Sequence, residues 1–193
     1  MKCPICGKDE TEEFVRDAGP ARIVRCRQDG LLYLNPRPQA TQVRQFHTQF
    51  VRGDNLDLFT LYRREVLRRE AAAISAMKTG GKLLDIGCAT GTLFENLVGT
   101  NWRLYGVETS PLGVELASSR YGAEVFCGAL REAHYLTRFF DAISVLGALY
   151  YFPDPRAELA EIRRVLKDDG LLAVEIPGFT YTLLRDRGLC VGF

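Results

Sequence analysis

Histidine is almost missing from this chain of 193 residues. Only His47 and His134 are present, beside a single tryptophan and two methionines. Both histidines fall in helical or loop stretches where a surface or capping role fits best. An excess of one charge is also missing: 25 basic against 24 acidic side chains leave a formal charge of +1, so no global field draws the chain to nucleic acid or an anionic membrane. Long apolar runs are lacking too. Leu171–Val174 and Ala142–Tyr151 are the longest, far short of the ~20 residues of a membrane helix. The start, Met-Lys-Cys-Pro-Ile-Cys-Gly, has neither an apolar core nor a small-residue cleavage site, so no secretory signal is read and a cytoplasmic location is expected. Internal repeats and low-complexity tracts do not occur. What remains is an ordinary globular composition, 47% hydrophobic and 25% charged, long enough for one principal core.

The chain divides by texture. Residues 1–38 lack long apolar segments yet hold three of the six cysteines, and read as a small module unable to build its own core. Residues 39–79 are polar and Arg-rich. Val43, Phe46 and Phe50, then Leu58, Leu61, Tyr62, Val66 and Leu67, recur at helical spacing, so two amphipathic helices are expected with a break at Gly53-Asp54-Asn55. From residue 80 to 193, short apolar runs alternate with helical patterns, as in parallel strands joined by crossover helices. Strands are expected at Lys82–Ile86, Arg103–Val107, Ala123–Phe126, Phe140–Leu146 and Leu171–Ile176. Helices are expected at Thr92–Val98, Pro111–Tyr121 and Pro155–Lys167, the last closed by Asp168-Asp169-Gly170.

Asp85-Ile-Gly87-Cys88-Ala-Thr90-Gly91 ends a strand pattern and opens a helical one. Glycines there let the backbone turn sharply and approach a ligand. The G-x-x-x-G spacing departs from the G-x-G-x-x-G of dinucleotide sites, and the Gly-Lys-Ser/Thr of a P-loop is lacking. One strand-helix-strand unit later Glu108 ends the second strand, where a carboxylate can accept hydrogen bonds from both ribose hydroxyls. The two features together point to a nucleoside ligand without a diphosphate. Cys88 reads as a small packed residue, since nothing near it in sequence would lower its pKa.

From about Gly81 to Pro177 the sequence resembles the class I S-adenosylmethionine-dependent methyltransferases. Asp85, Gly87 and Gly91 match their first motif and Glu108 their acid after the second strand. Phe140–Leu146, Phe152-Pro153-Asp154-Pro155 and Leu166–Leu171 look like the fourth strand, following loop, helix and fifth strand. The resemblance implies an α/β, Rossmann-like, mainly parallel sheet. It implies that Asp85 and the loop through Gly87, Cys88 and Gly91 hold the methionine end of S-adenosylmethionine. Glu108, flanked by Thr109, would take the ribose, Ala129 and Leu130 after Gly128 would meet adenine, and Leu146 and Gly147 would line the pocket near the methyl. Relatives often carry an acid at the adenine position, and a His and a Glu-His pair after the fourth strand. This chain has neither: Gly147, Tyr150 and Tyr151 stand in the latter places, and no catalytic residue is assigned.

Cys3-Pro-Ile-Cys6-Gly7 is a zinc-knuckle pattern. Its partner, Cys26-Arg-Gln-Asp29-Gly30, keeps the glycine and replaces the last cysteine by a carboxylate. Zinc accepts such oxygen, so a structural site of Cys3, Cys6, Cys26 and Asp29 is expected. The module is similar to the zinc ribbons that precede some methyltransferase domains, where an Asn-Pro segment such as Asn35-Pro36 often follows.

These features imply a methyltransferase acting on a small-molecule acceptor by direct displacement, with a cofactor-binding but non-catalytic protein of the same fold as the alternative. No nucleic-acid or membrane partner is indicated, and a homo-oligomer is left open. The family sheet has two further strands after the fifth. Only 16 residues, Gly178–Phe193, follow Pro177, room for one short helix at Thr180–Arg187. The expectation is therefore a shortened chain whose sheet lacks the last two strands.

Overall fold

A segment with a few β-branched residues and many turn-formers can pair strands but cannot bury much. The N-terminal module is built this way in the computed structural model, which describes residues 2–16, 22–39, 41–43, 45 and 56–176. Strands β1 (Thr11–Arg16), β2 (Arg22–Cys26) and β3 (Leu32–Asn35) form an antiparallel sheet in sequence order. Among the described residues its interior holds Cys3, Val24, Cys26 and Tyr33, with Cys6 and Leu31 packed beside them. The expected helical break at Gly53–Asn55, with Phe46 and Phe50, lies outside the described residues. Helix α1 (Leu56–Met77) is the second amphipathic segment, and it turns Leu67, Ala71 and Ile74 inward.

The remaining apolar runs have too few polar positions to leave a face in water, so they must lie between two layers. Strands β4 (Gly81–Ile86), β5 (Trp102–Glu108), β6 (Glu124–Cys127), β7 (Phe140–Leu146) and β8 (Leu166–Glu175) form a five-stranded sheet in the order β6-β5-β4-β7-β8. All its pairings are parallel. Alternation along the strands splits the core. Leu83, Leu104, Ala142 and Leu146 pack with α1 and with helix α2 (Pro111–Tyr121) on one face. Leu84, Tyr105, Val107, Ile143 and Val145 pack with helix α3 (Pro155–Val165) on the other. Both later helices begin alike: Ser110 and Asp154 accept the amides of Gly113 (3.4 Å) and Ala157 (3.1 Å), and a proline follows each cap. Such caps satisfy amides that the helix leaves free.

Two expected elements differ. The segment Thr92–Val98 is a 3-10 turn at Phe94–Asn96 within a run of turns, because it lies between left-handed Gly91 and Gly99 (φ 80° and 77°) and has no length for a regular helix. The last helix stops at Val165, not Lys167, and β8 begins at once with Leu166 beside Phe140. Among the described residues β8 is the edge of the sheet; the expected helix at Thr180–Arg187 lies outside them. No helix of the described residues is long and apolar enough to cross a membrane.

Ile143 is almost fully buried between Leu84 and Leu172 in the ladder. Ile143→Ala is expected to lower the unfolding free energy by about 2–5 kcal/mol, whereas Val98→Ala, at a side chain half exposed, should change it by less than about 0.5 kcal/mol. Urea denaturation of the full chain measures both.

Candidate functional site

The chain runs outward from β4 through β5 to β6, then returns to the other side of β4 to lay down β7 and β8. The strand order reverses at β4, and the carboxyl ends of β4 and β7 mark the switch point at which open α/β sheets take ligands. Asp85, Gly87, Cys88, Gly91, Glu108, Thr109, Leu146 and Gly147 all gather at these carboxyl ends. Ala129 and Leu130 follow β6 at the far side. Leu130 turns its side chain into the core, and the exposed Ala129 is bonded to Glu132, its amide to Oε2 at 2.7 Å and its carbonyl to the Glu132 amide at 3.0 Å.

Two carboxylates are sunk into this end of the sheet, Asp85 and Glu108, each 5% exposed. Asp85 lies opposite Ser144 in the ladder, and Ser144 Oγ donates to its Oδ1 at 2.7 Å. Burial pushes the Asp85 carboxyl up to about 7, against the opposing pull of Ser144 and of the Arg63 charge. The carboxylate caps no helix. Glu108 is a loop organiser as well as a strand end: its Oε2 accepts the Ala89 amide at 2.9 Å, and its Oε1 accepts the Ser110 amide at 2.8 Å and the Thr109 hydroxyl at 3.4 Å. The glycine loop after β4 and the start of α2 are thereby tied to one side chain.

The loop is close-packed. Gly87 has φ 78°, and a Cβ on it would stand 2.8 Å from the Ala148 methyl carbon; Gly91 has φ 80°, and a Cβ there would meet the Tyr121 ring at 2.8 Å. Only glycine fits both the left-handed backbone and the space. Cys88 is buried with its Sγ against Gly106, and its thiol pKa is pushed well up by burial, then by Asp85 and Glu108. It is packed as a buried thiol.

Sequence reasoning missed Ser144, Arg63 and Glu175. From α1, Arg63 Nη1 meets Glu175 Oε2 at 2.7 Å, and its Nη2 donates to the Leu146 carbonyl at 3.3 Å. It thus joins α1 to the ends of β7 and β8. Beyond Gly147 (φ 73°) a 3-10 turn, Leu149–Tyr151, carries Tyr150 and Tyr151 with ring centroids 4.3 Å apart. Of the histidines, His134 lies exposed in the segment after β6, and His47 is outside the described residues. A shallow depression of about 440 Å³ near Trp102, Tyr121 and Glu124 lies at the opposite, amino-terminal end of β5 and β6.

In the N-terminal module Cys3, Cys6, Cys26 and Asp29 converge, their ligand atoms all within 4.8 Å of one another. Cys3 Sγ lies 3.2 Å from Asp29 Oδ2 and Cys6 Sγ 3.6 Å from Cys26 Sγ. A tetrahedral zinc with bonds of about 2.3 Å has ligand–ligand edges of roughly 3.8 Å, so the spacing fits. The two knuckles match: the Gly7 amide donates to Cys3 O at 3.0 Å and the Gly30 amide to Cys26 O at 2.9 Å, with φ of 74° and 75°. The Leu31 amide, and then Cys26, hold the Asp29 carboxyl down at about 2, charged as a metal ligand must be.

Comparison with known proteins agrees with this geometry. The family described as "Methyltransferase domain" matches residues 57–188. A tRNA U34 carboxymethyltransferase of Aeromonas salmonicida is 31% identical over 121 residues, which are 57% of this chain and 34% of that protein. The O-methyltransferase resE of Aspergillus sclerotiorum is 27% identical over 118 residues, 57% of this chain and 45% of that one. Among solved structures, S-adenosylmethionine-bound CalS10, an amino pentose methyltransferase from Micromonospora echinaspora, is 27% identical with a TM-score of 0.52, covering 62% of this chain and 56% of that one. The chain thus spans a third to just over half of these relatives' lengths. Its five-stranded parallel sheet and flanking helices are the Rossmann-like methyltransferase fold, and the chain belongs to the methyltransferase-domain family.

Proposed function

We propose that the chain is the catalytic domain of an S-adenosylmethionine-dependent methyltransferase with a small-molecule acceptor, residues 80–193 holding the cofactor and residues 1–38 a structural zinc. The observation that carries the reading is the pair of buried carboxylates, Asp85 and Glu108, beside a glycine loop with no room for side chains. A ligand with a cationic amino acid end and a ribose suits that donor set. Asp85 would take the ammonium group, and Glu108, whose oxygens keep lone pairs after their backbone bonds, would accept from the ribose diol. The backbone of Gly87–Gly91 would face the methionine end, Ala129 and Leu130 the adenine, and Leu146 and Gly147 the methyl. The cofactor supplies a methyl group on a sulfonium for direct displacement, so this chain's residues chiefly align the acceptor and exclude water. The near-neutral charge, the resemblance to the O-methyltransferase resE and that to an amino pentose methyltransferase favour a small acceptor; the tRNA relative is the reason to test RNA beside it.

Isothermal calorimetry with S-adenosylmethionine and S-adenosylhomocysteine is expected to give saturable binding, weakened at least tenfold in Glu108→Ala. No heat with either ligand overturns the reading. Binding without methyl transfer to any acceptor in a panel of phenols, amino sugars and tRNA would favour the non-catalytic alternative.

Asp85 makes a pH prediction with a definite sign. Its carboxyl titrates near 7 when folded against 3.8 ordinarily, so the folded state holds the proton more tightly. The stability this contributes is present below about pH 4 and is lost as pH rises through 7. Native protein should therefore lose more stability than Asp85→Asn between pH 5 and 8 in urea titrations. Binding of an ammonium favours the carboxylate, so ligand affinity should rise by up to about tenfold per pH unit below 7, with proton release visible as a buffer-dependent calorimetric heat.

Zinc is expected at about one per chain by elemental analysis of protein purified without added metal, falling several-fold in Cys26→Ser. A value near zero in the native chain removes the metal reading.

A further inference from the structure

Beyond β3 the chain runs through Pro36-Arg37-Pro38. A proline on each side fixes the local backbone, so Arg37 stands on a stiff arm rooted in the cysteine module. The arm reaches the other domain: Arg37 Nη2 donates to the carbonyl of Phe152 at 2.6 Å and to that of Tyr150 at 3.3 Å. Those carbonyls belong to the turn that presents Tyr150 and Tyr151 beside Gly147, at the carboxyl end of β7. The turn is held besides by the packing of Leu149 and Phe152 on the core and by the contact between its two tyrosine rings. Its own amide bonds are Tyr151 N to Ala148 O at 3.0 Å and Phe152 N to Leu149 O at 3.3 Å, and none of its residues is buried.

We infer that the cysteine module is a buttress for the acceptor side of the site: Arg37 is a positioning residue that holds the Tyr150–Tyr151 turn, and a metal at Cys3, Cys6, Cys26 and Asp29 sets how firmly it does so. This rests on the metal and acceptor readings above. The physical link is the smallness of the module's core. The four buried side chains among the module's described residues are too few to offset the conformational entropy of ordering its strands, so the rigidity of β3, and of the arm leaving it, depends on the metal. A guanidinium hydrogen donated to each of two carbonyls is a directional, charge-assisted contact. It positions the turn without touching either buried carboxylate.

The test is hydrogen exchange with mass spectrometry on the full chain, as purified and after zinc removal by chelation, in native protein, Arg37→Ala and Arg37→Lys. Arg37→Ala should speed exchange of the Tyr151 and Phe152 amides at least tenfold and leave those of β4 and β5 within twofold. Arg37→Lys should fall between. Zinc removal should reproduce the Arg37→Ala change in native protein and add less than twofold in Arg37→Ala. A spectroscopic readout separates positioning from general loosening: the near-ultraviolet circular dichroism lost in Tyr150→Phe should also be lost in Arg37→Ala and partly kept in Arg37→Lys. Unchanged exchange at Tyr151 and Phe152 in Arg37→Ala overturns the buttress, and an Arg37→Ala effect without a zinc effect overturns its dependence on metal. S-adenosylhomocysteine binding, measured on the same variants, should stay within about threefold. Its absence from the native chain would sink the methyltransferase reading while leaving the exchange result intact.

Discussion

The constraint on which the site depends is the burial of two carboxylates at the ends of adjacent parallel strands. A buried carboxylate is costly unless paired or hydrogen-bonded, and the two are treated differently. Glu108 is given two backbone amides and a hydroxyl, which fixes the glycine loop and the start of α2 around it. Asp85 is given one serine hydroxyl and is left short of partners. Burial, only partly opposed by that hydroxyl and by the Arg63 charge, pushes its carboxyl to about 7, and a cationic group arriving there would gain more from Asp85 than from an exposed acid. The sheet can bear the cost because β4 is central, with β5 and β7 shielding it on both sides.

The same centrality decides which glycines are constrained. Gly87 must follow Asp85 closely, turn left-handed, and pass under Ala148 of the neighbouring loop. Gly113, in the first turn of α2, lies so near Ala89 that a Cβ would approach its carbonyl oxygen to 2.9 Å. The loop after β4 is therefore clamped between α2 and the loop after β7, and its amides are turned inward, those of Gly87 and Cys88 to the Val107 carbonyl and that of Ala89 to Glu108. A site formed this way is preorganised, and its alignment of a ligand costs little at the moment of binding.

Much of this was legible beforehand because it rests on local pattern. The limits of β7 and α2 follow from a mostly apolar run and from a Ser-Pro start with a glycine stop, and both are found where expected. The sheet's parallel character follows from the alternation of strands and helices. The segment after Gly91 was misjudged because apolar spacing cannot count turns when glycines close both ends. Ser144 carried a signal, a lone hydroxyl in an apolar strand, but only the β4–β7 register pairs it with Asp85. Arg63, Glu175 and Arg37 carried none. Their partners lie between 83 and 115 residues away in sequence, and one arginine among many has no periodicity to distinguish it.

The two arginines also explain how a short N-terminal region contributes to a site built by later strands. Arg63 grips the carboxyl ends of β7 and β8 from one side, through the Leu146 carbonyl and the Glu175 carboxylate. Arg37 grips the turn that follows β7 from the other. Near them lies Gly147, whose left-handed backbone lets the chain leave the sheet. A guanidinium keeps its charge at any working pH and spreads its donors over a fixed plane, so both grips are set by geometry and not by titration. Both cations thus stand where carbonyl groups and a carboxylate await them.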